Sequence, residues 1–563
     1  MEVILIIAGV IVFFAIKGIY DNYNNAKKLR ARIIREYGSK ADKTFDDGRA
    51  KSISYYCREK KRSNCPVDDI TWNDLDMDSI YYILNSCKSA IGDEYLYYLL
   101  RNPSDSLDEL KERNRVINAL AAEKELRTEL GFFLGSVGQI KGISVYEYIC
   151  RLKNVEIDSN LGHIFQAALL LAGIGLIFYN PTIGIVATVV MFFVNIISYF
   201  KRKSQIECYF TIFSYILRMA GASKKISKVA SADKNGDIAA YTGRIAKTAS
   251  NLAKTTRGAE IFLNPGGNGD LLQSIFDYIR MALHIDLIAF NIMVKKFFNR
   301  QEEFDSLYEN MGFLDCMLAA ASYREWTGDT CEPELNNASG KAVRKIEFNG
   351  LSHPLIPEPV VNSISTERPV LLTGSNASGK STFLKAVAIN AILAQSIFTA
   401  RAESYSAPCF HVMSSMALQD NLALSESYYI VEIKSLKRII DAVEEKDAVP
   451  VMCFIDEVLR GTNTVERIAA STEILKKLSA HAGMCFVATH DIELTYNLEE
   501  YYANYHFEEQ VNDDEVTFDY LLHEGRTTTR NAIRLLGMLG FDREIVEAAQ
   551  KNAESMDEQP PKK

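Results

Sequence analysis

Three stretches of the chain carry residue types whose spacing could do chemistry. The first is Gly374-Ser375-Asn376-Ala377-Ser378-Gly379-Lys380-Ser381-Thr382, which has the spacing Gly-x-x-x-x-Gly-Lys-Ser. Its glycines let backbone N–H groups curl around phosphate oxygens. Lys380 can reach outer phosphates, and the Ser381 hydroxyl can be offered to Mg²⁺. The second stretch ends in two carboxylates, Asp456 and Glu457. Asp456 would hold Mg²⁺ through its water shell, and Glu457 would orient or deprotonate an attacking water. The third ends in Thr489-His490. A neutral imidazole there could sense a γ-phosphate or polarise the water.

Each group needs an element to position it. Val370-Leu-Leu-Thr is a short apolar strand, and a helical pattern runs from Phe383 to about Phe398. The start of that helix points its positive end at the same anion. Val451–Ile455 and Cys485–Ala488 are uninterrupted apolar runs, the pattern of strands buried on both faces. Strands alternate with helices from beyond Leu351 to about Gly483, which predicts an α/β sheet. With the phosphate-cradling loop the expected fold class is an α/β P-loop NTPase domain, ABC-ATPase-like.

The chain of 563 residues is too long for one core and predicts two to four domains. Net charge is −9, which argues against non-specific nucleic-acid affinity over the whole surface while leaving a local basic face open. The 10 cysteines form no Cys-x-x-Cys pair and no zinc-spaced cluster, so they read as free thiols in a reducing cytosol.

Ahead of the nucleotide domain the periodicity is helical, and three apolar runs stand out. Val3–Ile16 is followed by Lys17 and then by Lys27, Lys28, Arg30 and Arg32, the reverse of a secretory signal. It reads as an uncleaved anchor with a cytoplasmic basic flank. His163–Tyr179 and Thr182–Phe200 flank Asn180-Pro181 and are closed by Lys201-Arg-Lys203, a pattern that predicts a membrane hairpin. The basic stretch 26–62 would be drawn to anionic lipid. Between Lys224 and Arg257, eight cations face only Asp233 and Asp237, a surface that could meet phosphates. Met281–Val294 contains His284, Asp286 and Asn291 and reads as a buried helix and not a further span.

The motifs together resemble the MutS family of mismatch-repair ATPases. The resemblance rests on Gly374–Thr382, on Asp456-Glu-Val-Leu-Arg-Gly-Thr-Asn-Thr464 and on Ala488-Thr-His-Asp-Ile-Glu-Leu-Thr495. Asn376 matches the family's P-loop Asn, and His353-Pro354 matches a pair that opens its ATPase domain. Asn421–Glu432 resembles the signature segment, in which Ser427 takes the place of the serine that approaches a partner subunit's γ-phosphate. The resemblance therefore implies ATP and Mg²⁺ as cofactors and a homodimer with composite sites. It implies catalytic roles for Lys380, Glu457 and His490, metal ligation by Ser381 and Asp456, and DNA as the default partner. Asn531–Val546 could be the family's C-terminal helix-turn-helix. The sequence departs from the family at Ser425 and at Tyr428-Tyr429, and no mismatch-reading N-terminal domain with a Phe-x-Glu wedge is found.

The expected organisation is an anchor at 1–20, a basic juxtamembrane linker at 21–70 and a helical lever-like domain at 71–328 containing the hairpin at 163–200. The ATPase domain is expected at 350–550 and a disordered tail at 551–563. Function is expected to be that of a membrane-anchored ATPase on the cytoplasmic face of a bacterial-type inner or plasma membrane, coupling ATP turnover to DNA. The alternatives are an ATP-driven membrane protein of ABC-transporter type and a nucleotide-switched scaffold. Three spans are few for a transport path, and no Leu-Ser-Gly-Gly-Gln stretch is present.

Overall fold

The computed structural model describes residues 2–557, apart from 42, 44–46, 61, 141, 152–158, 222, 257–270, 298–299, 337–343, 376–377, 417–427, 446–448, 461, 482, 512–515 and 528–540. It divides into two compact units. One comprises residues 1–60, 85–98 and 116–322; the other comprises 61–84, 99–115 and 323–563.

The first unit is helical. The helix Glu2–Glu36 is continuous, so the expected anchor and the start of the expected linker are one element. Leu29 and Ile33 lie one helical turn apart and face the helix Lys124–Val137, where two glycines admit them. A Cβ on Gly131 would come 2.8 Å from Ile33, and one on Gly135 would come 3.3 Å from Leu29. Arg30 pairs with Glu129 at 2.7 Å. A second helix, Asp47–Glu59, buries Ile53 and Tyr56.

Helices Asn160–Ile177 and Pro181–Gly221 form the hairpin. They turn where Asn180 N–H donates to Leu176 O at 2.7 Å. Gly184 lets the two helices close, since a Cβ there would fall 2.3 Å from Ile177 N. Asn160–Ile177 and Pro181–Glu207 are long and apolar enough to cross a membrane, with mean hydropathies of 1.6 and 2.2. Their apolar side chains, Phe165, Val186, Phe193 and Ile197 among them, point outward. For the expected first span, side chains up to Val12 and those of Phe14 and Ala15 lie outside the described residues; Phe13, Ile16 and Ile19 are exposed. The single helix expected over Met281–Val294 is instead two, Leu271–Ala282 and Ile285–Phe297, broken at His284, whose φ is +53°.

The second unit holds two sheets. The larger has the order β10-β9-β4-β8-β7-β6, with β4 (Val370–Thr373), β6 (His411–Ser415), β7 (Val451–Asp456), β8 (Met484–Ala488) and β9 (Ala503–Val511) parallel, and β10 (Val516–Glu524) antiparallel to β9. The smaller has the order β1-β5-β2-β3, formed by β1 (Glu334–Asn336), β2 (Ile346–Leu351), β3 (Asn362–Thr366) and β5 (Ser404–Pro408). Helices Lys380–Ile397, Tyr428–Glu444 and Thr464–His481 form the crossovers. The apolar runs of β4 and β8 are buried along their whole length, as parallel strands covered on both faces should be.

Residues 61–70, expected in the linker, and 71–84 and 99–115, expected in the helical domain, belong to this unit. Their polar contacts explain it. The Asp74 carboxylate accepts from Ser414 Oγ at 2.7 Å and from Met416 N at 2.9 Å, while Thr71 Oγ1 accepts from Ser414 N at 3.1 Å. Arg113 donates to Ser396 O at 2.6 Å. The expected helix-turn-helix lies outside the described residues as far as Gly540; the helix Arg543–Asp557 comes next, so the expected disordered tail begins as helix.

Candidate nucleotide and metal site

Strand register sets the site. Ala488 pairs with Leu372 of β4 on one side and with Asp456 of β7 on the other, so the three strands end level. The residues just beyond each strand are presented on one edge, at the carboxyl ends of a parallel sheet, where such folds bind ligands. Gly374 comes after β4, Glu457 after β7, and Thr489-His490 after β8.

The loop after β4 turns at two glycines with positive φ, Gly374 at +147° and Gly379 at +105°. Both are needed sterically. A Cβ on Gly374 would lie 2.9 Å from Phe507 O, and one on Gly379 would lie 3.1 Å from the Tyr520 ring. Lys380 opens the next helix, and its ammonium bends back to donate to Gly374 O at 2.8 Å and Ser375 O at 2.7 Å. Burial pushes its pKa down to about 8, only partly opposed by Asp456 and Glu457. Ser381 Oγ donates to Asp456 Oδ2.

Glu457 sits at φ +63° and Leu459 at +58°, left-handed conformations that side-chain-bearing residues rarely adopt. Strain of this kind persists only where surrounding contacts fix it. Here Glu457 N donates to Ala488 O at 2.9 Å. Its carboxylate is gripped from both sides, by His490 Nε2 at 3.1 Å on Oε1 and by Arg460 Nε at 2.7 Å on Oε2. The His490 hydrogen bond, with Arg460 and Lys380 adding to it, holds the Glu457 carboxyl below its ordinary range against the opposing effect of burial.

These groups line one cleft of about 810 Å³, whose polar lining includes Ser378–Thr382, Asp456, Glu457 and His490. Leu351, Ile356, Pro359 and Val360 add apolar lining. Of the residues singled out in the sequence, Gly374, Ser375, Ser378, Gly379, Lys380, Ser381, Thr382, Asp456, Glu457 and His490 are thus brought to one edge. Asn376, Ala377 and Ser427 lie outside the described residues.

Sequence reasoning missed Arg460 and the contacts behind the motif. Glu432 is buried and accepts from Arg460 N at 3.3 Å, and Arg467 pairs with Asp491 at 2.6 Å beside His490. All four stand inside or beside the quoted motifs, so their types were visible, but which of them pair is set by the fold and not by their spacing. His353 also lines the cleft, with burial pushing its imidazole down to about 4.

Known proteins resemble this half of the chain. A family model described as MutS domain V matches residues 370–557. The DNA mismatch repair protein MutS of Natronomonas pharaonis is 32% identical over 248 residues, 42% of this chain and 27% of that protein. The DNA mismatch repair protein MSH6 of Saccharomyces cerevisiae is 26% identical over 267 residues, 43% of this chain and 21% of that protein. The matched region thus spans about a quarter or less of the length of these relatives.

Proposed function

The chain belongs to the MutS family, and from that premise we propose that it is an ATPase that binds ATP with Mg²⁺ at the level ends of β4, β7 and β8. The observation that carries this reading is the convergence of Lys380, Ser381, Asp456, Glu457 and His490 on one cleft. The residues fit a polyanion. The hydroxyls of Ser375 and Ser378 are buried and find no partner among the described residues, as donors waiting for phosphate oxygens would be. The glycine turns bring backbone to the same place, and the Lys380 ammonium supplies charge. Ser381 and Asp456, already in contact, would hold Mg²⁺, which when bound neutralises phosphate charge. Glu457 would orient the attacking water, with His490 fixing one carboxylate oxygen. The apolar part of the lining, Leu351, Ile356, Pro359 and Val360, suits a purine ring.

The rest of the reading comes from the family. Ser427 of a second copy would complete each site, which makes the working species a homodimer. ATP-driven closure would be coupled to DNA. The hairpin and the helix Glu2–Glu36 would hold the chain in a membrane, with the ATPase unit on the cytoplasmic side and the basic flank against anionic lipid.

The test is ATP turnover by the full chain in detergent, with and without duplex, mismatched and branched DNA. Turnover that K380A abolishes is expected, and normal turnover by K380A contradicts the site. DNA affinity should fall steeply with salt. One observation favours a second reading, a nucleotide-switched scaffold: both oxygens of Glu457 are already engaged. That reading predicts ATP-dependent association with negligible turnover.

A further inference from the structure

The helical unit contains a concave basic site remote in sequence from the P-loop. Two adjoining cavities, of about 450 and 210 Å³, share Ile33, Ser86 and Lys88. Together they fall within the size of small-ligand sites. Their lining carries Arg32, Lys40, Lys43, Lys88, Lys124 and Arg127, and one carboxylate, Glu36.

The charge arrangement is unusual for a solvated face. Lys88 and Lys43 are largely withdrawn from solvent, with 15% and 25% of their side-chain surfaces exposed. Lys43 is fixed by Asp93 at 2.8 Å and by Cys87 O at 2.5 Å, so its position does not depend on solvent. Partly buried cations gathered on a concave wall raise each other's energy unless an anion joins them. Glu36 shows what the wall attracts. It ends the helix Glu2–Glu36, where the helix dipole disfavours a carboxylate. Yet Arg32 holds it at 2.6 Å and Lys88 at 3.1 Å. Although burial opposes it, those two cations keep its carboxyl below the ordinary range. Glu36 answers Arg32 and Lys88, and Asp93 answers Lys43, while Arg127 lies over the Tyr37 ring. Among the described residues no carboxylate pairs with Lys40, Lys124 or Arg127, and that part of the wall is left for an anion.

We propose that this cavity is a binding site for a phosphate-bearing ligand, seated between Lys88, Lys40 and Arg32 on one side and Lys124 and Arg127 on the other. The ligand is a soluble phosphate compound or a lipid headgroup, since the recognising chemistry is the same. The second source is within reach: at about 1.5 Å per residue, Leu29 at the cavity wall lies about 14 Å along the helix from Tyr20, the last residue of the expected anchor.

Pyrophosphate titrated calorimetrically into the K380A full chain, in neutral detergent, tests the site with the P-loop lysine removed. Saturable binding is expected, weakened about tenfold or more in K380A/K40E/K124E. Lys40 and Lys124 are exposed, so the melting temperature of that variant should be unchanged; K40Q/K124Q replaces it if it is not. Doping the micelles with phosphatidic acid separates the sources. Competition with pyrophosphate assigns the headgroup, and unaltered pyrophosphate affinity assigns a soluble ligand. Absence of saturable binding to K380A, or affinity indifferent to both lysine pairs, overturns the proposal. ATP turnover does not enter the readout, so its loss would leave this result standing.

Discussion

The guanidinium Nε of Arg460 lies 2.7 Å from Oε2 of Glu457, three residues before it in the chain. The contact exists because Glu457 and Leu459 both take left-handed backbone, which folds the chain after β7 back over its own carboxylate. Arg460 also donates to Asp456 O at 3.1 Å, closing the turn. The residue proposed to orient water is therefore held ready-charged by its neighbour.

That relationship predicts a pH effect. Arg460 is one of the groups that keep the Glu457 carboxyl below its ordinary range, after His490. Removing it raises that pKa, and the ionised form is lost at higher pH as the solution is acidified. In R460A the acidic limb of the kcat/KM profile should move up by about a unit or less. A limb that stays in place would mean that Glu457 is not the titrating base.

Lys380 links the site to stability. Burial lowers its pKa to about 8, whereas the unfolded chain titrates near 10.5. Between those values the unfolded chain binds more protons, so native stability rises with pH through that window. Below it the lysine is charged in both states and the burial cost is constant. K380M removes the cost, and the melting free energy at neutral pH should increase by on the order of 1–3 kcal/mol while turnover falls by about a hundredfold or more. Urea melts at pH 7 and pH 9.5 check both parts, since the pH-dependent rise should be smaller in K380M.

Asp74 answers to Ser414 and Met416 from a segment far away in the sequence. D74A leaves a buried backbone N–H and a buried hydroxyl without their acceptor. Destabilisation of about 2–4 kcal/mol is expected, read as a lower urea midpoint. A midpoint within error of the native one would detach residues 61–84 from the sheet.

The hairpin gives a partitioning test. Full-length chain should stay with membranes through alkaline carbonate and be released by detergent. G184L should destabilise the hairpin, because its side chain would enter the space of Ile177 backbone. Release by carbonate contradicts the proposed spans.

The strands that carry the site were legible because a parallel strand buried on both faces needs an unbroken apolar run, and Val370–Leu372 and Val451–Ile455 supply one. Lys380, Asp456 and Glu457 were legible because they stand at the ends of those runs. Arg460's grip was not, since no glycine marks the left-handed turn that creates it. The membership of 61–84 was hidden for another reason. Helical periodicity tells which face is buried and not what covers it. The stretch after Tyr20 reads as a basic juxtamembrane linker because charge density masks Leu29 and Ile33, one turn apart, and their glycine seats at Gly131 and Gly135 are about a hundred residues away.

Glu457 is proposed to act on a nucleotide held by the Lys380 loop. ATP binding and single-turnover hydrolysis by E457Q, beside the native chain, test it most directly. Binding stoichiometry and affinity should be preserved while the hydrolysis rate drops about a hundred- to a thousandfold. Hydrolysis by E457Q at the native rate, or failure of the native chain to bind ATP, would contradict it.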